Sequence, residues 1–255
     1  MSLFEIKGLT HAFGGLTAVD HFELTLEGGE LVGLIGPNGA GKTTVFNLVC
    51  GIYRPSAGTM RLAGRTLDGL PPSRVAAAGI ARTFQNIRLW PELTVLDNVR
   101  LGNHYHLGYG LLDTLLQTKR YHRAETAIDR RAFELLDLLG LADLTAERAA
   151  NLPYGLQRKL EIARALMLKP QLLLLDEPAA GMNLQEKSAL VDLIRWLRKE
   201  FHLTIWLIEH EMKVVMKLCE FIQVLDFGKV IADGPPERIQ KDPRVIEAYL
   251  GREID

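Results

Sequence analysis

Two cysteines in 255 residues are too few for a disulfide framework, and Cys50 and Cys219 match no metal-ligand spacing. They read as reduced, buried thiols of an intracellular protein. A surplus of one charge is also missing: 30 Lys and Arg oppose 31 Asp and Glu, for a formal net charge of −1. No nucleic acid is therefore expected as a partner, since it usually demands a basic face. No apolar run approaches the ~20 residues needed to cross a bilayer, and Met1-Ser2-Leu3-Phe4-Glu5 does not begin a signal peptide. An intracellular chain is expected, with any membrane association running through a partner. Internal repeats and low-complexity linkers are absent as well. With 47 % hydrophobic residues the chain can still bury a sizeable core, as one large domain or two intimate subdomains.

Against these absences stands Gly36-Pro37-Asn38-Gly39-Ala40-Gly41-Lys42-Thr43, which fits Gly-x-x-x-x-Gly-Lys-Thr at every fixed position. Residues 30–35 before it read as a buried strand, and residues 44–49 after it as a helix stopped by Gly51. A triphosphate is a dense anion, so its site needs many N–H donors and little steric bulk. The glycines let the backbone wrap the β-phosphate, the helix N-terminus adds partial positive charge, and Lys42 spans the β- and γ-phosphates. Thr43 places a hydroxyl where Mg²⁺ needs an oxygen ligand. The flanking strand and helix weigh against a glycine-rich turn with a chance lysine.

The chain falls into three regions. Residues 1 to about 85 are rich in strand signals: His21 to Glu27 alternates polar and apolar, as in a half-buried antiparallel strand, and Thr59 to Arg65 reads as a strand running into a turn. From about 86 to 170 the pattern is helical, with Ala132, Leu136 and Leu139 at helical spacing and Gly140 at a natural C-terminal cap. Residues 171 to 232 return to strands alternating with helices. Leu172 to Leu175 and Leu203 to Ile208 are apolar runs of the kind found in central parallel strands, and Leu190, Ile194, Leu197 and Phe201 mark the inner face of a helix between them. Asp226-Phe227-Gly228-Lys229 is a hairpin turn, and a helical tail ends near Leu250. The stretch from Asn103 to Asp129, with three histidines and three tyrosines, is the least legible.

The first apolar run ends in Asp176-Glu177. A strand delivers Asp176 to the edge of the sheet beside the phosphate loop, where it can hold Mg²⁺ directly or through water. Glu177 lies one residue farther out, where a base could polarise a water in line with the γ-phosphorus. A solvated pair of strand-end charges is the plainer alternative, and the complete loop upstream outweighs it. His210 ends the next run, placed to sense the γ-phosphate, although a lone histidine is more often structural. Gln85 joins the first region to the helical one. Its amide could serve Mg²⁺ or the attacking water, and chemistry alone does not decide between that role and none.

The segment Asn151-Leu152-Pro153-Tyr154-Gly155-Leu156-Gln157-Arg158-Lys159-Leu160-Glu161 resembles the signature motif of ATP-binding-cassette (ABC) ATPases. The order of motifs agrees over essentially the whole chain: phosphate loop, glutamine, signature, Asp-Glu, histidine. Residues 13–19, 81–85, 176–183 and 247–251 are similar to the LivG-type ATPases of branched-chain amino acid importers, as is the insertion near 103–129. The implied fold is α/β: a RecA-like P-loop NTPase core with an N-terminal antiparallel β subdomain and a helical subdomain carrying the signature. As one ABC ATPase domain, 1–85 and 171–235 would form the core, 86–170 the helical subdomain and 236–255 a tail.

In that family two cassettes close head to tail on two ATP molecules. The resemblance implies that Phe13 stacks on adenine with help from Val19, and that Gly36, Pro37, Asn38, Gly39, Ala40, Gly41, Lys42, Thr43 and Thr44 hold the phosphates. Thr43, Gln85 and Asp176 would serve Mg²⁺, Glu177 would be the general base and His210 the γ-phosphate switch. Tyr154, Gly155 and Leu156 would meet the ATP of the partner. The implied partners are a second ATPase subunit, identical or not, two membrane-spanning permease subunits, and, indirectly, an extracytoplasmic solute-binding protein. The chain would sit peripherally on the cytoplasmic face of the membrane. Ile87, Leu89, Trp90, Pro91 and Leu93 form an apolar group suited to the permease contact or to internal packing. Pro153, Tyr154, Leu156 and Asn183 depart from the residues common in the family. Urea or short amides are alternative solutes. A soluble cassette of DNA repair or translation is the alternative class, weakened by the single cassette and the lack of heptads or basic excess.

Overall fold

The computed structural model describes residues 2–103 and 107–250. In chain order its strands are β1 (Phe4–Phe13), β2 (Leu16–Leu26), β3 (Leu31–Ile35), β4 (Ala57–Leu62), β5 (Arg65–Thr66), β6 (Ile80–Arg82), β7 (Leu172–Asp176), β8 (Thr204–Ile208), β9 (Phe221–Asp226) and β10 (Lys229–Gly234). Its helices are α1 (Lys42–Val49), α2 (Pro72–Ala78), α3 (Val95–Leu101), α4 (Leu111–Leu115), α5 (Lys119–Leu138), α6 (Tyr154–Met167), α7 (Leu184–Glu200), α8 (Met212–Leu218), α9 (Pro236–Ile239) and α10 (Pro243–Leu250). The chain divides into two compact units, one of residues up to Arg82 together with those from Gln171 onward, the other Thr83–Pro170. Gln85 thus belongs to the second unit.

Among the described residues all ten strands lie in the first unit, in two sheets. A six-stranded sheet runs β10-β9-β3-β8-β7-β6, parallel except where β10 folds back on β9. The strands β3, β7 and β8 are buried at every position, which is why they read as unbroken apolar runs. A four-stranded antiparallel sheet runs β2-β1-β4-β5. Over residues 21–26, β2 alternates exposed and buried, as its sequence alternates polar and apolar. Trp206 on β8 is fully buried and joins the layers, its ring 4.9 Å from Phe46 of α1 and 6.0 Å from Phe22 of β2. The turn at Phe227-Gly228 has positive φ at both positions, the backbone of a tight hairpin.

Every helix of the second unit, α3 to α6, falls in one stretch of chain. Ala132, Leu135 and Leu136 on α5 are buried together with Leu160 and Ala163 on α6 and Val95 and Val99 on α3. The stretch that was least legible contains α4 and the first half of α5; its His104, Tyr105 and His106 lie outside the described residues. Among the described residues no helix is long and apolar enough to cross a membrane.

Candidate active site

The loop between β3 and α1 is shaped by main chain that leaves no room for side chains. A Cβ on Gly36 would lie 2.0 Å from the Leu225 carbonyl oxygen, and one on Gly41 would lie 2.4 Å from that of Ala18. Both residues also have positive φ, at 150° and 106°. Pro37 and Ala40 are buried, whereas Asn38, Gly39 and Thr43 are exposed and Thr44 is half-buried. The first helical bond of α1 is donated by Val45 to the Gly41 carbonyl at 3.0 Å, so the amides before it have no partner within the helix. Those amides and the positive end of the helix make an anion seat. Lys42 is buried, its ammonium donating to the carbonyls of Gly36 at 2.6 Å and Pro37 at 2.8 Å.

Strand register then places the carboxylates. Leu34 of β3 and Asp176 of β7 are both level with Ile208 of the intervening β8, so Asp176 stands two strands from the root of the loop. Its Oδ2 accepts from Arg82 Nη2 at 2.6 Å, and Arg82 Nη1 donates to Asn47 Oδ1 on α1 at 2.7 Å. Arg82 therefore pins the strand end to the helix of the phosphate loop. Glu177 follows with φ of 46°, a left-handed backbone that a non-glycine residue holds only when its surroundings impose it. Its amide donates to the Ile208 carbonyl at 2.9 Å, and its Oε2 is 3.4 Å from His210 Nδ1. Glu209, wholly buried, accepts from the amides of Ala179 at 2.8 Å and His210 at 3.2 Å. Burial raises its pKa, against smaller lowering by the Ala179 and Glu211 amides and His210.

The signature segment belongs to the second unit and is built on α6. Pro153 is its N-cap, and its carbonyl accepts from the amides of Leu156 at 2.9 Å and Gln157 at 3.0 Å. Tyr154 is 41 % exposed, and Gly155 and Leu156 are half-buried. Behind them Arg158 is fully buried and makes four contacts: the carbonyls of Phe84 at 2.7 Å and Gln85 at 2.9 Å, Glu161 at 2.8 Å and the Tyr154 hydroxyl at 3.1 Å. Glu161 returns to the amides of Phe84 and Arg88, both at 3.3 Å, and its pKa is raised by burial and lowered by Arg158. One buried ion pair thus ties the Gln85 loop to the start of α6. Gln85 itself is exposed.

Residues 19–180 match the family model described as ABC transporter, and residues 229–255 match one described as Branched-chain amino acid ATP-binding cassette transporter. The chain belongs to the ABC transporter family. The cassette is 47 % identical, over 98 % of both chains, to the high-affinity branched-chain amino acid transport ATP-binding protein LivG of Salmonella typhimurium. It is 45 % identical, over the same shares, to BraF of Pseudomonas aeruginosa, which carries the same description. A crystal structure of an ATP-binding cassette of an ABC transporter in its ADP conformation superposes with a TM-score of 0.85 and 28 % identity, over 98 % of this chain and 99 % of that one. A nucleotide-free cassette gives 0.84 at the same identity and coverage.

Within the cassette's first unit the fold gathers residues 36–44, Asp176, Glu177 and His210 at one edge of the sheet, while Gln85 and Tyr154 to Leu156 lie in the second unit. Phe13 is 44 % exposed at the end of β1, its ring 5.2 Å from Tyr53, so an open aromatic face is available. Val19 departs from expectation. It is fully buried in the core and offers no surface to a ligand: the β1–β2 register shifts between Leu9 and His11, with His21 at a positive φ, so Val19 is out of step with Phe22, Leu24 and Leu26 yet is buried like them. The carbonyl of neighbouring Ala18 approaches the loop instead. Asn183 caps α7, accepting from the amides of Gln185 and Glu186, so an amide serves there as well as a carboxylate would. Arg82, Glu209, Arg158 and Glu161 went unremarked in the sequence. Their one signal was a charge placed inside an apolar strand end or on the inner side of a helix. The donor set of Thr43 hydroxyl and Asp176 carboxylate fits a hard divalent cation, and the loop, closed to side chains but lined with amides, fits a polyphosphate.

Proposed function

We propose that this cassette is the ATP-hydrolysing subunit of an importer for branched-chain amino acids. The observation that carries the reading is the placement of Glu177 and His210, 3.4 Å apart, at neighbouring strand ends beside a phosphate loop. The identity to LivG and BraF supplies the solute class. Residues 36–44 bind the phosphates, with the Lys42 ammonium moving from its loop carbonyls to the β- and γ-phosphates, and Phe13 stacks on adenine. Thr43 and Asp176 would hold Mg²⁺, whose charge would offset that of the phosphates. Glu177 takes a proton from the attacking water, and His210 registers the γ-phosphate.

Tyr154, Gly155 and Leu156 present the α6 N-terminus to the ATP of a second cassette. Closure is then driven by ATP and reversed by its hydrolysis, a local charge change read as a rigid-body motion. Two permease subunits contact the surface near Trp90, which is 60 % exposed while its backbone is fixed by hydrogen bonds to buried Asn98. The complex sits on the cytoplasmic face of the membrane, and a solute-binding protein acts on it indirectly. Reconstitution with the permease pair and binding protein should give ATP-dependent uptake of leucine, isoleucine or valine. Hydrolysis indifferent to all three, with no stable association with a permease pair, would overturn the reading.

A further inference from the structure

Four of the most exposed apolar side chains fall within six residues: Leu111, Leu112, Leu115 and Leu116 are 76, 73, 70 and 74 % exposed. Their spacing of one, four and five residues gathers them on one side of α4, which buries no residue at all. The turn is nevertheless held firmly, by polar groups on its other side. Asp113 accepts from the Gly110 amide at 3.1 Å and the Thr118 hydroxyl at 2.8 Å, and Arg120 Nε donates to the Gly108 carbonyl at 2.7 Å. The Tyr109 hydroxyl donates to Glu125 at 2.6 Å, and Glu125 also holds Arg100. An ordinary surface helix turns its apolar side inward. Here the polar side is the anchored one and the leucines are presented outward.

Charge decides what could cover them. The carboxylates of this region are engaged: Asp113 in the turn itself and Glu125 with Tyr109 and Arg100. Lys119, Arg120 and Arg123, at the start of α5, are exposed and form no ion pair among the described residues. An apolar knob with a cationic flank matches an anionic lipid surface, where leucines enter the boundary between headgroups and chains and the cations meet phosphate. A protein partner fits less well. The centres of protein interfaces favour Trp, Tyr and Arg over Leu, and the exposed side of α4 presents leucines alone. The surface around Trp90 has the aromatic anchor that this one lacks.

We propose that α4 is a lipid contact of the cassette itself, its leucines dipping into an anionic leaflet with Lys119, Arg120 and Arg123 at phosphate level. The sequence suggested that membrane association would run through a partner alone; this contact adds a direct one. It is independent of the nucleotide site, so it can fail while the proposed ATPase stands.

The test is sedimentation of the full chain with vesicles of phosphatidylcholine alone or with about one-third phosphatidylglycerol, the anionic surface that cations require. Binding is expected to the anionic vesicles, weaker to the neutral ones, and to fall with added salt. A Leu112→Asp, Leu115→Asp variant should lose at least about tenfold in binding. A Lys119→Glu, Arg123→Glu variant should lose a similar factor on anionic vesicles and most of the salt dependence. Both variants should bind ATP as the parent does, which controls for folding. Absence of binding by the parent chain overturns the proposal, as does equal binding by the leucine variant. If that variant instead loses the permease pair in detergent, or a self-associated state, while still binding vesicles, the knob docks protein and the lipid assignment falls.

Discussion

The phosphate loop and the signature segment are fixed by different means. At Gly36 and Gly41 the limits are backbone carbonyls, which no repacking of side chains can move aside. At Leu152 to Leu156 the limits are set by side chains behind the segment, above all the Arg158–Glu161 pair and its grip on the Gln85 loop. A shape set by main chain demands one residue type and is seen in sequence as a rigid motif. A shape set by a neighbouring ion pair tolerates Pro153, Tyr154 and Leu156 at its front, provided that the pair behind survives. The phosphate loop is also complete in itself, whereas the signature segment, in the proposed function, acts only on a partner's nucleotide.

The largest effect should come from the side of the phosphate loop. Glu177→Gln keeps the shape and removes the base, so steady-state hydrolysis should fall by roughly 10²- to 10⁴-fold while ATP affinity stays near the parent value. Phosphate release and nucleotide binding, measured on the same preparation, check this. Turnover close to normal would remove Glu177 from the chemistry and leave the two segments no longer distinguished by function.

Arg158→Leu attacks the other side of the comparison. It leaves Glu161 buried without its cation, a change that costs about 3–5 kcal/mol, and urea denaturation should show it. ATP affinity of the isolated chain should be unchanged, since the phosphate loop lies in the other unit. Unaltered stability would show that the signature segment does not depend on this pair.

The smallest change should be at Pro153. Its carbonyl, common to every residue type, receives the Leu156 and Gln157 amides, and its φ of −53° already suits the entry to a helix. Pro153→Ser should alter hydrolysis in the assembled complex by less than about tenfold, the scale of one neutral hydrogen bond. A larger change would mean that the front of the segment matters more than its support.

These differences also explain what was legible in the sequence. Strands β3, β7 and β8, the alternation of β2, the hairpin at Phe227-Gly228 and the strand, glycine-rich turn and helix of residues 31–49 all follow from local rules of burial or backbone conformation, and the structure shows each of them. The Arg82–Asp176 pair spans 94 residues and leaves no local period, while Arg158 and Glu161, three apart on α6, read locally as an ordinary solvated helix pair and only the fold reveals that they are buried. Val19, which the resemblance implied would help hold adenine, is instead buried in the core beyond an irregularity in the β1–β2 register that no local pattern announces. The leucines of α4 were passed over for the opposite reason: apolar residues at helical spacing ordinarily signal burial, and only the fold reveals that these four point outward.

Glu209 carries one more consequence. The segment after Glu177 and the amide of His210 hang from the same buried carboxylate, through Ala179 at 2.8 Å and His210 at 3.2 Å. Two groups suspended from one point do not wander independently; their thermal displacements are correlated. Timing follows from this: the backbone after Glu177 and that of His210 shift in the same fluctuation rather than in two.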